Sequence, residues 1–149
     1  MMRKNRYILL DIDGVLTSDH WSRKCRAEHR PANLFGLDWF DPDCIAALAV
    51  LTEKTAAGII VSSSWRELGI DRLRHVWEVC SLPGELAGTT PEWVLMKDEA
   101  IQEWIHQHPE DVYVILDDAD LKSDRQIRTN PSTGLTMADV GRAISLLNV

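Results

Sequence analysis

The sequence predicts an α/β fold of the Rossmann-like kind, a three-layer sandwich built on a central parallel sheet. Short apolar runs rich in β-branched residues, "YILL", "GIIV" and "VYVIL", alternate with stretches of helical period. The intervening helices are long enough, at roughly a dozen residues, to cross over between parallel strands. Each apolar run also ends in polar groups: Asp11 and Asp13, then Ser62, Ser63 and Ser64, then Asp117 and Asp118. Parallel strands would bring these ends to one edge, where ligands collect.

The elements follow in order. Residues 6–12 read as a buried strand. Residues 17–40 show no sustained period and contain Trp21, Pro31, Phe35, Gly36, Trp39 and Phe40, which predicts a long connection or a small lid. "DPDCIAALAVLTEKTAAG" reads as a helix with Asp41 as N-cap, Pro42 in first position and Gly58 as the stop. "GIIVSS" is the second strand, and residues 65–80 have mainly helical spacing. A short edge strand near Leu86 precedes a helix from about Glu92 to His106, which would bury Trp93 and Trp104. "DVYVILDDAD" repeats the opening pattern, and residues 125–129 offer one more strand. "TMADVGRAISLL" closes as a helix with Thr136 as N-cap and Asp139 completing a capping box.

A chain of 149 residues with no repeat or linker suits a single domain, residues 1–149, with 17–40 as its insertion. No apolar run reaches the ~18–20 residues of a membrane span, and the start "MMRKNRYILLDIDG" is too polar for a signal peptide. Cys25, Cys44 and Cys80 form no CxxC pattern and fit reduced thiols in a cytoplasmic protein. With 16 Lys and Arg against 23 Asp and Glu, the net charge of −7 disfavours a general nucleic-acid coat. "WSRKCRAEHR" departs from that balance, and Arg23, Lys24, Arg26 and Arg30 make it a candidate anion-attracting rim.

Carboxylates cost several kcal/mol to desolvate unless paired. A buried strand that runs into Asp11 and Asp13 therefore implies a cation or a substrate at its end. Acids clustered without His or Cys select a hard cation, and Mg²⁺ typically takes one or two carboxylates, waters and phosphate oxygens. A hydroxyl and free amides after the second strand would hold a phosphate. Taken singly, DxD is a common turn, the Ser run is a common helix cap and "DDAD" is an acidic loop tip. Their joint occurrence, each after a β-rich run, points to one pocket.

"LLDIDGVLT", "IIVSSSWR", Lys97 and "VILDDAD" resemble the four motifs of the haloacid dehalogenase-like (HAD) phosphohydrolases. "FDPDCIAAL", "SSSWR", "TTPEW", "YVILDDAD" and "TNPSTGLTMADV" are similar to the HAD domain of Swiss Army Knife RNA repair proteins, over about residues 6–147. The resemblance implies a HAD-like fold with minimal or no cap and a Mg²⁺-dependent phosphomonoester hydrolase. Asp11 would be the nucleophile that forms an aspartyl-phosphate, and Asp13 the general acid and base. Mg²⁺ would be held by Asp11, the carbonyl of Asp13 and Asp117, with Asp118 a direct or water-mediated ligand. Ser63 is the preferred phosphate ligand and Ser64 the second, with the register left open. Arg66 and Lys97 would be the cations for the phosphoryl oxygens; an Arg in a first helical turn opposes the helix dipole and so invites a functional explanation.

A short insertion leaves the cleft open, which favours an extended substrate such as a nucleotide or a nucleic-acid terminal phosphate. His20 and the basic rim would touch its outer parts, and Trp21 and Trp39 are candidates for base stacking. No dedicated protein partner is evident. The alternative reading is a non-catalytic HAD-like domain that binds RNA or a partner protein.

Overall fold

The computed structural model describes residues 5–30 and 39–148. Five strands, β1 (Arg6–Leu10), β2 (Gly58–Val61), β3 (Leu86–Thr89), β4 (Val112–Asp117) and β5 (Gln126–Arg128), form one sheet in the order β3-β2-β1-β4-β5. Every pairing is parallel. The chain winds outward from β1 through β2 to β3, then crosses to the other side of β1 for β4 and β5. The order reverses between β1 and β4, and this is where an open α/β sheet leaves a crevice at its carboxyl edge.

Side-chain alternation divides the core into two layers. Ile8, Leu10, Ile59, Val61, Val114 and Leu116 pack on one face, against α2 (Pro42–Thr55), α3 (Ile70–Val79) and α5 (Met137–Leu147). Leu9, Ile60 and Ile115 point the other way, to Ile101 and Trp104 of α4 (Lys97–Gln107). Both faces of the sheet are thus covered, which is why its strands read as continuous apolar runs rather than as alternating ones. This is the Rossmann-like α/β architecture expected from the sequence.

The caps of α2 and α5 are those the sequence implies: Asp41 accepts the Asp43 amide with Pro42 in the first turn, and Thr136 and Asp139 form a capping box. Four expectations change. First, the span 17–40 contains a helix, α1 (Asp19–Ala27), capped by Ser18, whose hydroxyl accepts the Trp21 amide. Cys25 is its one buried residue, so it lacks the apolar stripe from which helices are read. The Ser18 hydroxyl also donates to Asp41 at 2.6 Å, tying the starts of α1 and α2 together. Residues 31–38 of that span, with Pro31, Phe35 and Gly36, lie outside the described residues.

Second, α2 stops at Thr55, where Ala56 takes a left-handed conformation, φ 54°. Gly58 instead opens β2, where a Cβ would stand 3.1 Å from that of Ala87 on the neighbouring strand. Third, residues 65–80 break in two: a 3-10 turn, Ser64–Leu68, precedes α3, and Gly69 at φ 84° makes the bend. Fourth, α4 begins at Lys97 and not near Glu92. Residues 90–96 form a loop, and Trp93, expected to be buried, is 78% exposed. Trp104 is buried as anticipated, and Trp77 of α3 is buried too.

Candidate active site

Strand pairing runs one residue past the end of each strand and sets the reactive groups level. The Asp11 amide donates to the Leu116 carbonyl at 3.0 Å, and the Ser62 amide to the Leu10 carbonyl at 2.9 Å. The chain then turns at once: the amides of Val15 and Leu16 fold back on the Ile12 carbonyl, with Ile12 fully buried. Ile12 anchors the turn while Asp11 stays buried on one side and Asp13 emerges to solvent on the other.

Gly14 makes this turn possible. Its φ of 83° suits glycine, and a Cβ at this position would collide with the Asp118 carboxylate. The Gly14 amide donates to Thr17 Oγ1 at 3.0 Å, and its carbonyl accepts from Thr129 Oγ1 at 2.8 Å. The Thr129 amide in turn donates to the Asp117 carbonyl at 3.0 Å. Thr129, just after β5, therefore joins the two acidic loops. Sequence reasoning gave it no role, although it opens the quoted stretch "TNPSTGLTMADV"; a Thr after a short strand does not by itself show which loop it joins.

Asp11, Asp117 and Asp118 each place a carboxylate oxygen within 4.8 Å of the others. An all-oxygen set with no His or Cys is the donor chemistry of a hard cation. Lys97, the first residue of α4, reaches into the same cluster: its Nζ donates to Asp117 Oδ1 at 3.1 Å, and lies 2.9 Å from Asp117 Oδ2 and 3.6 Å from Asp11 Oδ2. Asp117 Oδ2 is buried and makes that ion contact without hydrogen-bond geometry, which leaves a lone pair for a ligand. Oδ1 also accepts the Ala119 amide at 2.9 Å.

The acids repel one another. Burial, and then the Asp117 charge, push the Asp11 carboxyl up to about 7, although Lys97 pulls the other way. Asp13 is raised too, by partial desolvation and by Asp118, even though its surface is open to solvent. Burial lowers Lys97, but its hydrogen bond to Asp117 and the charge of Asp11 outweigh this and hold it above the usual range. One ammonium faces three carboxyl groups, an excess of acid that a bound cation would relieve.

A family model for the HAD domain in Swiss Army Knife RNA repair proteins matches residues 7–140. The chain belongs to that HAD family. Neither a curated protein nor a solved structure matches it. Membership gives this HAD chain the phosphohydrolase type at a coarse level, and the acidic cluster lies within the matched span.

Within this HAD domain, the expected residues divide into those gathered at the carboxyl edge and those set apart. Ser63 is buried two residues past the carboxyl end of β2, capping the 3-10 turn; its hydroxyl accepts the Trp65 amide at 3.1 Å and keeps its own hydrogen to donate. Ser64 is exposed. Arg66 is buried, and its guanidinium is turned to backbone carbonyls of Ser63, Val94 and Leu95. Lys24 and Arg30 lie over the Trp21 ring, at 5.8 Å and 5.6 Å, and Arg30 also pairs with Glu28 at 2.8 Å. Arg23 and Arg26 are exposed on α1. His20 lines a separate depression with Asp41, Asp43 and Thr133, which none of Asp11, Asp13, Asp117 and Asp118 lines.

Next to Asp13 and Asp118 opens a cavity of about 360 Å³. Thr17, Ser18, Asp19, Ser22 and Trp39 line it together with those two acids, and no Lys or Arg does so among the described residues. Trp39 also packs against Trp65 at a ring distance of 6.4 Å.

Proposed function

We propose that this protein is a Mg²⁺-dependent phosphomonoester hydrolase working through an aspartyl-phosphate on Asp11. The observation that carries the reading is the convergence of Asp11, Asp117, Asp118 and Lys97 at the reversal of strand order, beside a cavity that starts at Asp13. Mg²⁺, held by the carboxylates of Asp11 and Asp117, the carbonyl of Asp13 and Asp118 directly or through water, would offset the acids' repulsion and polarise the phosphoryl group.

Asp11 attacks phosphorus, and the alcohol leaves with a proton from Asp13. The raised affinity of Asp13 for protons suits it to that step, and the same carboxylate then takes a proton from the water that hydrolyses the aspartyl-phosphate. Lys97 and the Ser63 hydroxyl donate to the phosphoryl oxygens as negative charge develops there. The balance is that of ester hydrolysis: phosphate and an alcohol form, and no redox partner is needed.

The cavity beside Asp13 receives the leaving group. Its lining among the described residues combines hydroxyls, carboxylates and an indole ring without a cation, so it favours a neutral, hydroxyl-bearing group with a flat ring over an anionic one. A nucleoside fits that description. The substrate class is accordingly a nucleotide or a nucleic-acid terminal phosphate, with any further phosphates lying outward near Arg23, Lys24, Arg26 and Arg30. A panel of aryl phosphate, sugar phosphates, nucleoside monophosphates and 3′- or 5′-phosphorylated oligonucleotides tests this. Mg²⁺-dependent phosphate release is expected, strongest with nucleosides as leaving groups; no turnover on any member would favour a non-catalytic HAD-like domain that binds RNA or a protein.

A further inference from the structure

We propose that Arg66 is a positioning residue, a strut between the Ser63 turn and the loop that delivers Lys97 to the acids. The kinetic part of this proposal rests on the hydrolase reading above. Arg66 is only 3% exposed. Its Nη1 donates to the Ser63 carbonyl at 3.1 Å, and its Nη2 to the carbonyls of Val94 at 2.8 Å and Leu95 at 3.2 Å. One planar group thereby joins the turn after β2 to the loop after β3, a geometry that a guanidinium fork matches and an ammonium does not. No carboxylate pairs with it among the described residues, so its charge is offset by backbone carbonyls alone, and its buried Nε makes no hydrogen bond.

The loop has little else to hold it. The Thr90 amide anchors one end to the Val61 carbonyl at 3.0 Å, and a single turn links the Val94 amide to the Pro91 carbonyl at 3.3 Å. Trp93, Leu95 and Met96 project into solvent, with exposures of 78%, 82% and 57%, and so contribute little packing. The start of α4 has no side-chain cap at Met96. Lys97 follows Leu95 by two residues, and consecutive Cα atoms are ~3.8 Å apart, so any drift of the Leu95 carbonyl passes directly to Lys97. Its reach to Asp117 and Asp11 depends on that carbonyl staying where Arg66 holds it.

The test combines Arg66→Gln, Arg66→Lys, Lys97→Met and the double variant Arg66→Gln/Lys97→Met, with phosphate release and amide hydrogen exchange as readouts. Arg66→Gln is expected to lower kcat on the order of 100-fold, the scale of a misplaced catalytic group, with KM changing less. Arg66→Lys recovers only a small part, because one ammonium cannot span three carbonyls. The double variant is no slower than Lys97→Met, since Arg66 acts through Lys97. In Arg66→Gln, exchange quickens over residues 92–98 while β1 and β4 keep their protection. Equal losses in the presence and absence of Lys97 would overturn the proposal and make Arg66 a direct phosphate ligand, and unchanged exchange over 92–98 would overturn the strut itself. A wild-type protein without turnover refutes the hydrolase reading instead, and the exchange data still decide whether Arg66 holds the loop.

Discussion

Lys97 Nζ lies 2.9 Å from Oδ2 of Asp117, a carboxylate with no solvent exposure. Lysine at the first position of a helix is unfavourable because the helix's positive end repels it. Here Asp11, just past β1, and Asp117 of β4 reverse the balance, and on the proposed reading the same ammonium would donate to the phosphoryl group. Lys97→Met should therefore lower kcat by roughly 100-fold, the effect of removing one donor to a charge that develops in the transition state. Steady-state kinetics with a saturating aryl phosphate checks this.

The pH dependence of stability follows from Asp11. Its carboxyl is raised to about 7 when folded, so between the unfolded value and that one the native state holds a proton that the unfolded chain has released. The associated stability is complete below the unfolded pKa and is lost as pH rises through about 7. Without Mg²⁺, thermal melts of the wild type should fall over that window relative to Asp11→Asn, which lacks the proton. At pH well above neutrality the variant should melt higher, and Mg²⁺ should raise the wild type more than the variant. Parallel melting curves across pH would show that Asp11 is not the strained acid.

Gly14→Ala tests the geometry of the acidic pair. The new methyl has to enter the space of the Asp118 carboxylate at a φ that L-residues avoid, at a cost of about 1–2 kcal/mol in backbone alone. The expected outcome is a folded protein with a much smaller Mg²⁺-induced rise in Tm and greatly reduced turnover. Isothermal titration with Mg²⁺ measures the change in affinity directly.

Trp39 faces the cavity at Asp13 and should sense the leaving group. Base–aromatic stacking is worth about 1–3 kcal/mol, so Trp39→Ala should raise KM for nucleoside monophosphates by roughly 5- to 160-fold. A small sugar phosphate, with no ring to stack, should change far less. A similar loss for both substrates would mean that the indole only supports Trp65.

Much of this architecture is legible from local chemistry. The strands at Ile8, Ile59 and Val114 declare themselves because both sheet faces are covered, and α2 and α5 carry the caps Asp41 and Thr136. Asp11 and Asp117 can be paired from sequence because parallel strands share an edge. What is not legible depends on tertiary contacts. Trp93 looks like a core residue in a helical register, yet Arg66 holds the carbonyls beside it and postpones the helix to Lys97. α1 is too polar to show a stripe, and it is held instead by the Ser18 bond to Asp41 and by its first amides on Pro131 and Ser132. Thr129 joins Gly14 to Asp117 across a sequence separation of more than a hundred residues, which no local pattern reports.

Acid-quenched reaction with an aryl phosphate in the presence of Mg²⁺, followed by mass spectrometry of the peptide containing Asp11, tests the central claim most directly. A phosphoryl group on Asp11 during turnover, absent without Mg²⁺ and absent in Asp11→Asn, is the predicted result. Full turnover in Asp11→Asn, or a phosphoryl group carried on any other residue, would contradict it.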